Sequence, residues 1–161
     1  MPEPLTITTP GDRQIVITRS FEAPRELVFL CYSKPELLRR WYGMPDWTTH
    51  VCEIDFRVGG REHLSGKRTD FTSTFDGVYH DIVPDQRIIY SYDMHLDRRH
   101  ISVSLATVEL KPEGSGTRLI LTELGAYLDG HDQPSMRLGG TEMLLDQLGA
   151  ELQRQLVEER R

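Results

Sequence analysis

The sequence predicts a single α+β domain in which a strongly bent antiparallel sheet of about seven strands closes around one long C-terminal helix, with two short helices after the first strand. Three observations carry that expectation. From about Gln133 to Glu158, Leu145, Leu148, Leu152 and Leu156 recur at steps of three and four, Met143 and Leu144 widen the band, and Glu142, Asp146, Glu151, Gln153 and Arg154 fall elsewhere around the cylinder. A helix with one oily stripe needs a partner surface. Almost everything between Trp47 and Leu124 reads as strand, so the partner is the concave face of a sheet. One strand and a helix pair, then an unbroken run of about six strands, choose a bent sheet gripping the terminal helix over other layered arrangements.

Taken in order, residues 1–12 carry three prolines and little periodicity, and read as a flexible arm before a single domain over residues 13–158. From Arg13 to Phe21, Ile15, Ile17 and Arg19 alternate with Val16, Thr18 and Ser20, the period of a strand. Pro24 suits the first turn of a helix to about Ser33, and Pro35 starts a second one, with Leu37, Leu38 and Trp41 facing inward until Gly43 and Pro45 end it. The chain is extended from Trp47 to Phe56, and Val58-Gly59-Gly60-Arg61 turns it into Glu62-His63-Leu64. A longer strand over about Thr69 to Val83, expected to break or bulge near Asp76-Gly77, is followed by Arg87 to Met94. After a polar crossing at Asp97-Arg98-Arg99 come strands over about Ile101 to Lys111 and Thr117 to Leu124, joined through Pro112-Glu113-Gly114-Ser115-Gly116. Gly125 to Asp132 reads as a loop before the last helix.

Composition narrows the function classes. With 161 residues, 38% hydrophobic and 27% charged, the chain fits one soluble domain able to bury a sizeable core. A net charge of -6 argues against nucleic acid and anionic membrane surfaces as partners. There is no apolar run of spanning length, and Met1 to Pro10 is polar and proline-punctuated, so neither membrane insertion nor a signal peptide is expected and the chain is assigned to the cytoplasm. Cys31 and Cys52 make neither a CxxC motif nor a disulfide framework and receive no chemical role.

The segments Phe21-Glu22-Ala23-Pro24 with Val28, Pro35-Glu36-Leu37 with Trp41, Glu53-Ile54-Asp55-Phe56-Arg57-Val58-Gly59-Gly60, Gly77-Val78-Tyr79 with Ile82-Val83-Pro84, and Gly116-Thr117 with Leu119 and Leu121 resemble, in order and spacing, the START-like (SRPBCC, Bet v 1-like) superfamily. Within it they are most similar to the branch related to the domain of the Hsp90 ATPase activator Aha1, over about Ile15 to Leu152. The resemblance implies a helix-grip fold with a cavity between sheet and terminal helix, where relatives hold lipids, polyketides, hormones or other apolar molecules. Two departures are notable. Family members often carry a second tryptophan where Tyr42 stands, and another after the glycines of the last helix, where this chain has Gly139-Gly140-Thr141. Smaller residues there open the cavity mouth.

The candidate site residues follow from which side chains can reach such a cavity. Tyr90, Tyr92 and Met94 share one face of a strand, and a buried tyrosine hydroxyl must find a partner, which suits a cavity with a few polar groups. His80 falls nearby if the preceding hairpin pairs in simple register. Glu62 and His63 are adjacent, so only one of them can look inward. Trp41 and Tyr42, at the end of the second helix, can close one end, and Met143 and Gln147 come from the long helix. No histidine pair has HxH, HxxxH or HExxH spacing, so neither a metal nor any other cofactor is expected. No GxSxG, activated cysteine or phosphate-binding loop is present, and no catalytic residue is assigned.

The leading expectation is a binding protein for a small apolar or aromatic, lipid- or polyketide-like ligand, through Trp41, Tyr42, His63, His80, Tyr90, Tyr92, Met94, Met143 and Gln147. A cyclase- or dehydratase-like enzyme using Glu62, His63 or His80 as acid or base ranks second. An Hsp90 co-chaperone-like interaction module, suggested by the branch, is third and not favoured, since the additional Hsp90-binding domain of the full activator is not seen. Exposed edge strands and the outer face of the short helices leave homodimerisation open.

Overall fold

The structure, a computed structural model, describes residues 13–161; the arm expected over residues 1–12 lies outside the described residues. Ten elements follow in the order β1 (Gln14–Phe21), α1 (Arg25–Ser33), α2 (Pro35–Trp41), β2 (Thr49–Ile54), β3 (Arg61–Lys67), β4 (Thr72–Val83), β5 (Arg87–Leu96), β6 (Arg99–Glu113), β7 (Gly116–Tyr127) and α3 (Pro134–Glu159). The strands form one antiparallel sheet ordered β1-β7-β6-β5-β4-β3-β2. The chain therefore lays its first strand beside its last and meanders through the rest by hairpins. This is the helix-grip α+β architecture, with the sheet curled over α3.

The alternation read from the sequence sets the pleat. Ile15 and Ile17 point into the core while Val16 is exposed on the outer face, and Leu119 and Leu121 do the same on β7. On α3 the inward stripe is Leu145, Leu148 and Leu152, each at most 2% exposed, with Leu156 packed at its margin. α3 lies against β1, α1 and α2, so the second half of the helix is held by apolar contacts. Pro35 opens α2 in its first turn, where the missing amide hydrogen costs nothing. Pro24, expected in the first turn of α1, stands one place earlier as its extended N-cap, its carbonyl accepting from the amides of Leu27 and Val28.

Three details differ from the expectation. The irregularity in β4 is a register shift between Tyr79 and Asp81, at His80, instead of a break at Asp76-Gly77. Gly77 is paired throughout; a Cβ there would press on Phe75 and on the Ser91 carbonyl, so glycine serves close packing and not a bulge. β7 runs on to Tyr127, absorbing residues expected in a loop, because Gly125 and Ala126 pair with Ser104 and Val103. Finally, Glu151, grouped with the polar side of the last helix, is completely buried: Arg40, Arg154 and Gln155 all donate to its carboxylate. Burial works against its charge, but those bonds outweigh it and hold the carboxyl below its ordinary range.

Candidate ligand-binding site

A cavity of about 320 Å³ lies between the concave face of the sheet and the first half of α3. Its floor is Leu64 of β3, Phe75 of β4, and Tyr92, Met94 and Leu96 of β5; its roof is Met136, Gly140, Thr141 and Leu144 of α3. The segment from Tyr42 to Trp47, between α2 and β2, forms a side wall. The turn at its start depends on Gly43, whose φ of 134° few side-chain-bearing residues adopt. Trp47 then folds back over Gly66, whose missing side chain is what makes room for the indole.

The roof is open where glycine stands. A Cβ added at Gly139 or Gly140 would meet nothing within 4 Å, and Gly140 lines the cavity. The helix runs through both residues without a break.

One end of the cavity is polar, and its chemistry centres on a residue the sequence reading did not single out. Arg137, in the first turn of α3, donates to Tyr92 Oη (2.7 Å), Glu123 Oε1 (3.0 Å), Ser102 Oγ (2.7 Å) and Asp132 Oδ2 (2.6 Å). Tyr92 in turn donates to Glu123 Oε1 at 2.6 Å. The side chains of Arg137, Glu123 and Asp132 are 10%, 4% and 9% exposed, so this is a buried ion cluster with nearly every donor matched. Burial opposes the charge on Arg137, but Tyr92, Glu123 and Asp132 outweigh it and hold the guanidinium above its ordinary pKa. Burial, reinforced by Glu123, keeps the Tyr92 phenol protonated far above its usual range. Arg137 also sits over the rings of Tyr92 and Tyr127, at 5.5 and 5.6 Å from their centroids. The signal available in the sequence was Glu123, an inward-phase carboxylate on an otherwise apolar strand.

The expected site residues divide. Tyr42, Tyr92 and Met94 line the cavity together. Tyr90 belongs instead to a separate small void beneath α1 and α2. Trp41 does not reach the cavity: it is 4% exposed, donates from Nε1 to the Cys31 carbonyl at 2.9 Å, and packs edge-on against Tyr32 and Tyr42. Gln147 also lies outside the lining, donating to the carbonyls of Trp41 and Gly43 and so bracing the side wall. Met143 is half-buried beyond the lining, one step round the helix from Leu144.

His63 and His80 point away from the cavity. The pleat of β3 turns Glu62 and Leu64 inward, leaving His63 to pair with Asp76 on the outer face at 2.6 Å. His80 sits at the irregularity of β4, exposed, with Nε2 2.7 Å from Ser91 Oγ. Among the described residues no group of three His, Cys, Asp or Glu side chains comes together as a metal site, and no helix is long and apolar enough to cross a membrane. Cys31 and Cys52 are free and buried, and burial pushes the Cys31 thiol up to about 12.

Comparison with known proteins places this geometry. No curated protein matches the sequence. Among solved structures, a protein from Rhizobium leguminosarum is 40% identical with a TM-score of 0.84, over 92% of this chain and 99% of that one. Mll3558 from Rhizobium loti is 40% identical with a TM-score of 0.79, over 86% and 95%. CV1439 from Chromobacterium violaceum is 26% identical with a TM-score of 0.70, over 87% and 96%. Residues 22–153 match the family described as activator of Hsp90 ATPase homolog 1-like protein. With most of the chain inside that match and the helix-grip fold around it, the protein belongs to this Aha1-related family of START-like domains.

Proposed function

We propose that this protein binds a small apolar or aromatic molecule in the cavity between the sheet and the first half of α3. The observation that carries this reading is the cavity itself: about 320 Å³ remains empty beneath a helix whose glycines leave the roof open. That volume falls at the small end of the range occupied by sites for drug-sized ligands. Its walls are Leu64, Phe75, Met94, Leu96, Ile101 and Leu144, with Arg137, Asp132, His131 and Thr141 as the few polar points that would orient a guest. Such a mixture favours a flat or compact hydrophobic body with one or two polar substituents.

The test is thermal stabilisation by a panel of fatty acids, flavonoids and aromatic polyketides. A binder present at a hundredfold excess over its Kd adds about 2.7 kcal/mol to the unfolding free energy. Gly140→Trp, which builds an indole into the open roof, should abolish that stabilisation while the ligand-free variant still unfolds cooperatively. Absence of stabilisation by every compound in the panel would refute the reading.

A further inference from the structure

Beyond Tyr42 and Phe75 lies a small void of about 20 Å³, whose lining includes Glu62, Tyr79, Tyr90 and Tyr32. Tyr42 and Phe75 line both spaces, so a single layer of side chains, two rings 5.7 Å apart, separates the inner void from the 320 Å³ cavity. The inner void has room for about one water molecule, or one oxygen-sized atom of a ligand.

The walls of that room are mostly apolar, among them Leu38, Phe56 and Ile88, and Glu62 and Tyr79 bring polar groups to it. Glu62 is 8% exposed and has no ion-pair partner among the described residues. The buried Tyr79 hydroxyl makes no well-formed hydrogen bond, although it lies near enough to Glu62 to ease its ionisation. A buried hydroxyl without a well-formed partner is costly, so Tyr79 beside a buried carboxyl and one oxygen-sized space is an arrangement that a bound acceptor would relieve. The sheet register sets the two spaces side by side: Glu62 pairs with Gly77 and Gly77 with Tyr92. Along this row of the sheet the residue between the inner carboxyl and the outer cavity's floor has no side chain, and the Tyr42–Phe75 layer is what divides them.

We propose that the two spaces form one bipartite site, in which Glu62 and Tyr79 donate to a carbonyl or similar acceptor at the inner end of an aromatic ligand whose body fills the outer cavity. This rests on the binding function proposed above and adds the chemical class of the ligand: a ketone, quinone or aldehyde carried on an apolar frame. Tyr42 must swing off Phe75 to admit the acceptor. Burial lifts the Glu62 carboxyl to about 8, Tyr79 drawing it down only partly, so near neutral pH the group is an O–H donor. The titratable groups around it are Tyr32 on α1, Tyr42 on α2, Cys52 on β2, Tyr79 on β4 and Tyr90 on β5; burial raises all five, and none is charged near neutral pH.

The experiment compares two probes of one shape, 2-acetylnaphthalene and 2-isopropenylnaphthalene, by titration calorimetry at about pH 6.5 and about pH 9.5. The wild type should bind the ketone about tenfold more tightly than the hydrocarbon at the lower pH. The preference should shrink to within about twofold at the higher pH, where a carboxylate faces the carbonyl oxygen. Glu62→Gln, which keeps a neutral donor, should retain the preference at both pH values. Glu62→Leu should lose the preference, its affinities for the two probes falling within about twofold of each other. Equal affinity for both probes in the wild type, or a preference that survives in Glu62→Leu, overturns the bipartite site and leaves the outer cavity's function standing. Failure of both probes to bind overturns the two together.

Discussion

Replacing Gly139 and Gly140 by alanine tests directly whether α3 runs intact above a vacant space. Two adjacent glycines in a helix cost about 1 kcal/mol each relative to alanine. At both positions a Cβ would meet nothing within 4 Å, so no clash offsets the gain. Each single substitution should therefore stabilise the protein by about 1 kcal/mol, and the pair by about 2 kcal/mol, raising Tm by about 2–4 °C per site for a domain of this size. Urea denaturation supplies the free energies and calorimetry the melting points. The two sites part company on binding: Gly139 is exposed and away from the lining, whereas Gly140 lines the cavity, so Gly140→Leu should weaken ligand binding and Gly139→Leu should not. Unchanged or lowered stability in both alanine variants would mean that the first turns of α3 are frayed or kinked, and the roof would have to be redrawn.

Other outcomes follow from the buried charges and the packing. Arg137→Met strands Glu123 and Asp132 without their cation and should cost about 3–5 kcal/mol in urea denaturation, with Glu123→Gln added to the variant restoring part of the loss. Glu62, whose folded-state pKa rises from 4.5 to about 8, holds its proton more tightly in the folded chain. Its contribution is full below about pH 4.5 and is lost as pH rises toward 8, so the wild type should lose up to about 5 kcal/mol across that window relative to Glu62→Gln. Gly66→Ala would drive a methyl into the Trp47 indole; it should cost about 1–3 kcal/mol and shift tryptophan emission to the red as Trp47 leaves its place over β3. Leu148→Ala, at a fully buried position on the stripe of α3, should cost about 3–5 kcal/mol by chemical denaturation.

The leucine stripe was legible because 3.6-residue periodicity leaves one solution for Leu145, Leu148 and Leu152, and the alternation of Ile15 and Ile17 likewise fixed which face of β1 is buried. The family resemblance supplied the grip. The face of β5 was readable too, so Tyr92 and Met94 were placed with the cavity wall. His63 and His80 were not readable in the same way: a strand's phase depends on a single residue of register, and neither the inward turn of Glu62 nor the irregularity at His80 leaves a trace in composition. The Arg137 cluster was hidden for a different reason. Its members come from β5, β6, β7, the loop before α3 and α3 itself, and a charge in a helix's first turn looks the same in sequence whether it faces water or a carboxylate.

α3 is attached by forces of two kinds, with a geometric outcome. Leucine contacts near its far end are non-directional, and they would tolerate a modest roll of the rod about its long axis. The fan of bonds from Arg137 is directional and would not. Together with Gln147, which donates to the carbonyls of Trp41 and Gly43, and Glu151, which accepts from Arg40, that fan fixes the rotational phase of the helix, and with it the fact that Gly140, Thr141 and Leu144, instead of their neighbours, are turned toward the hollow.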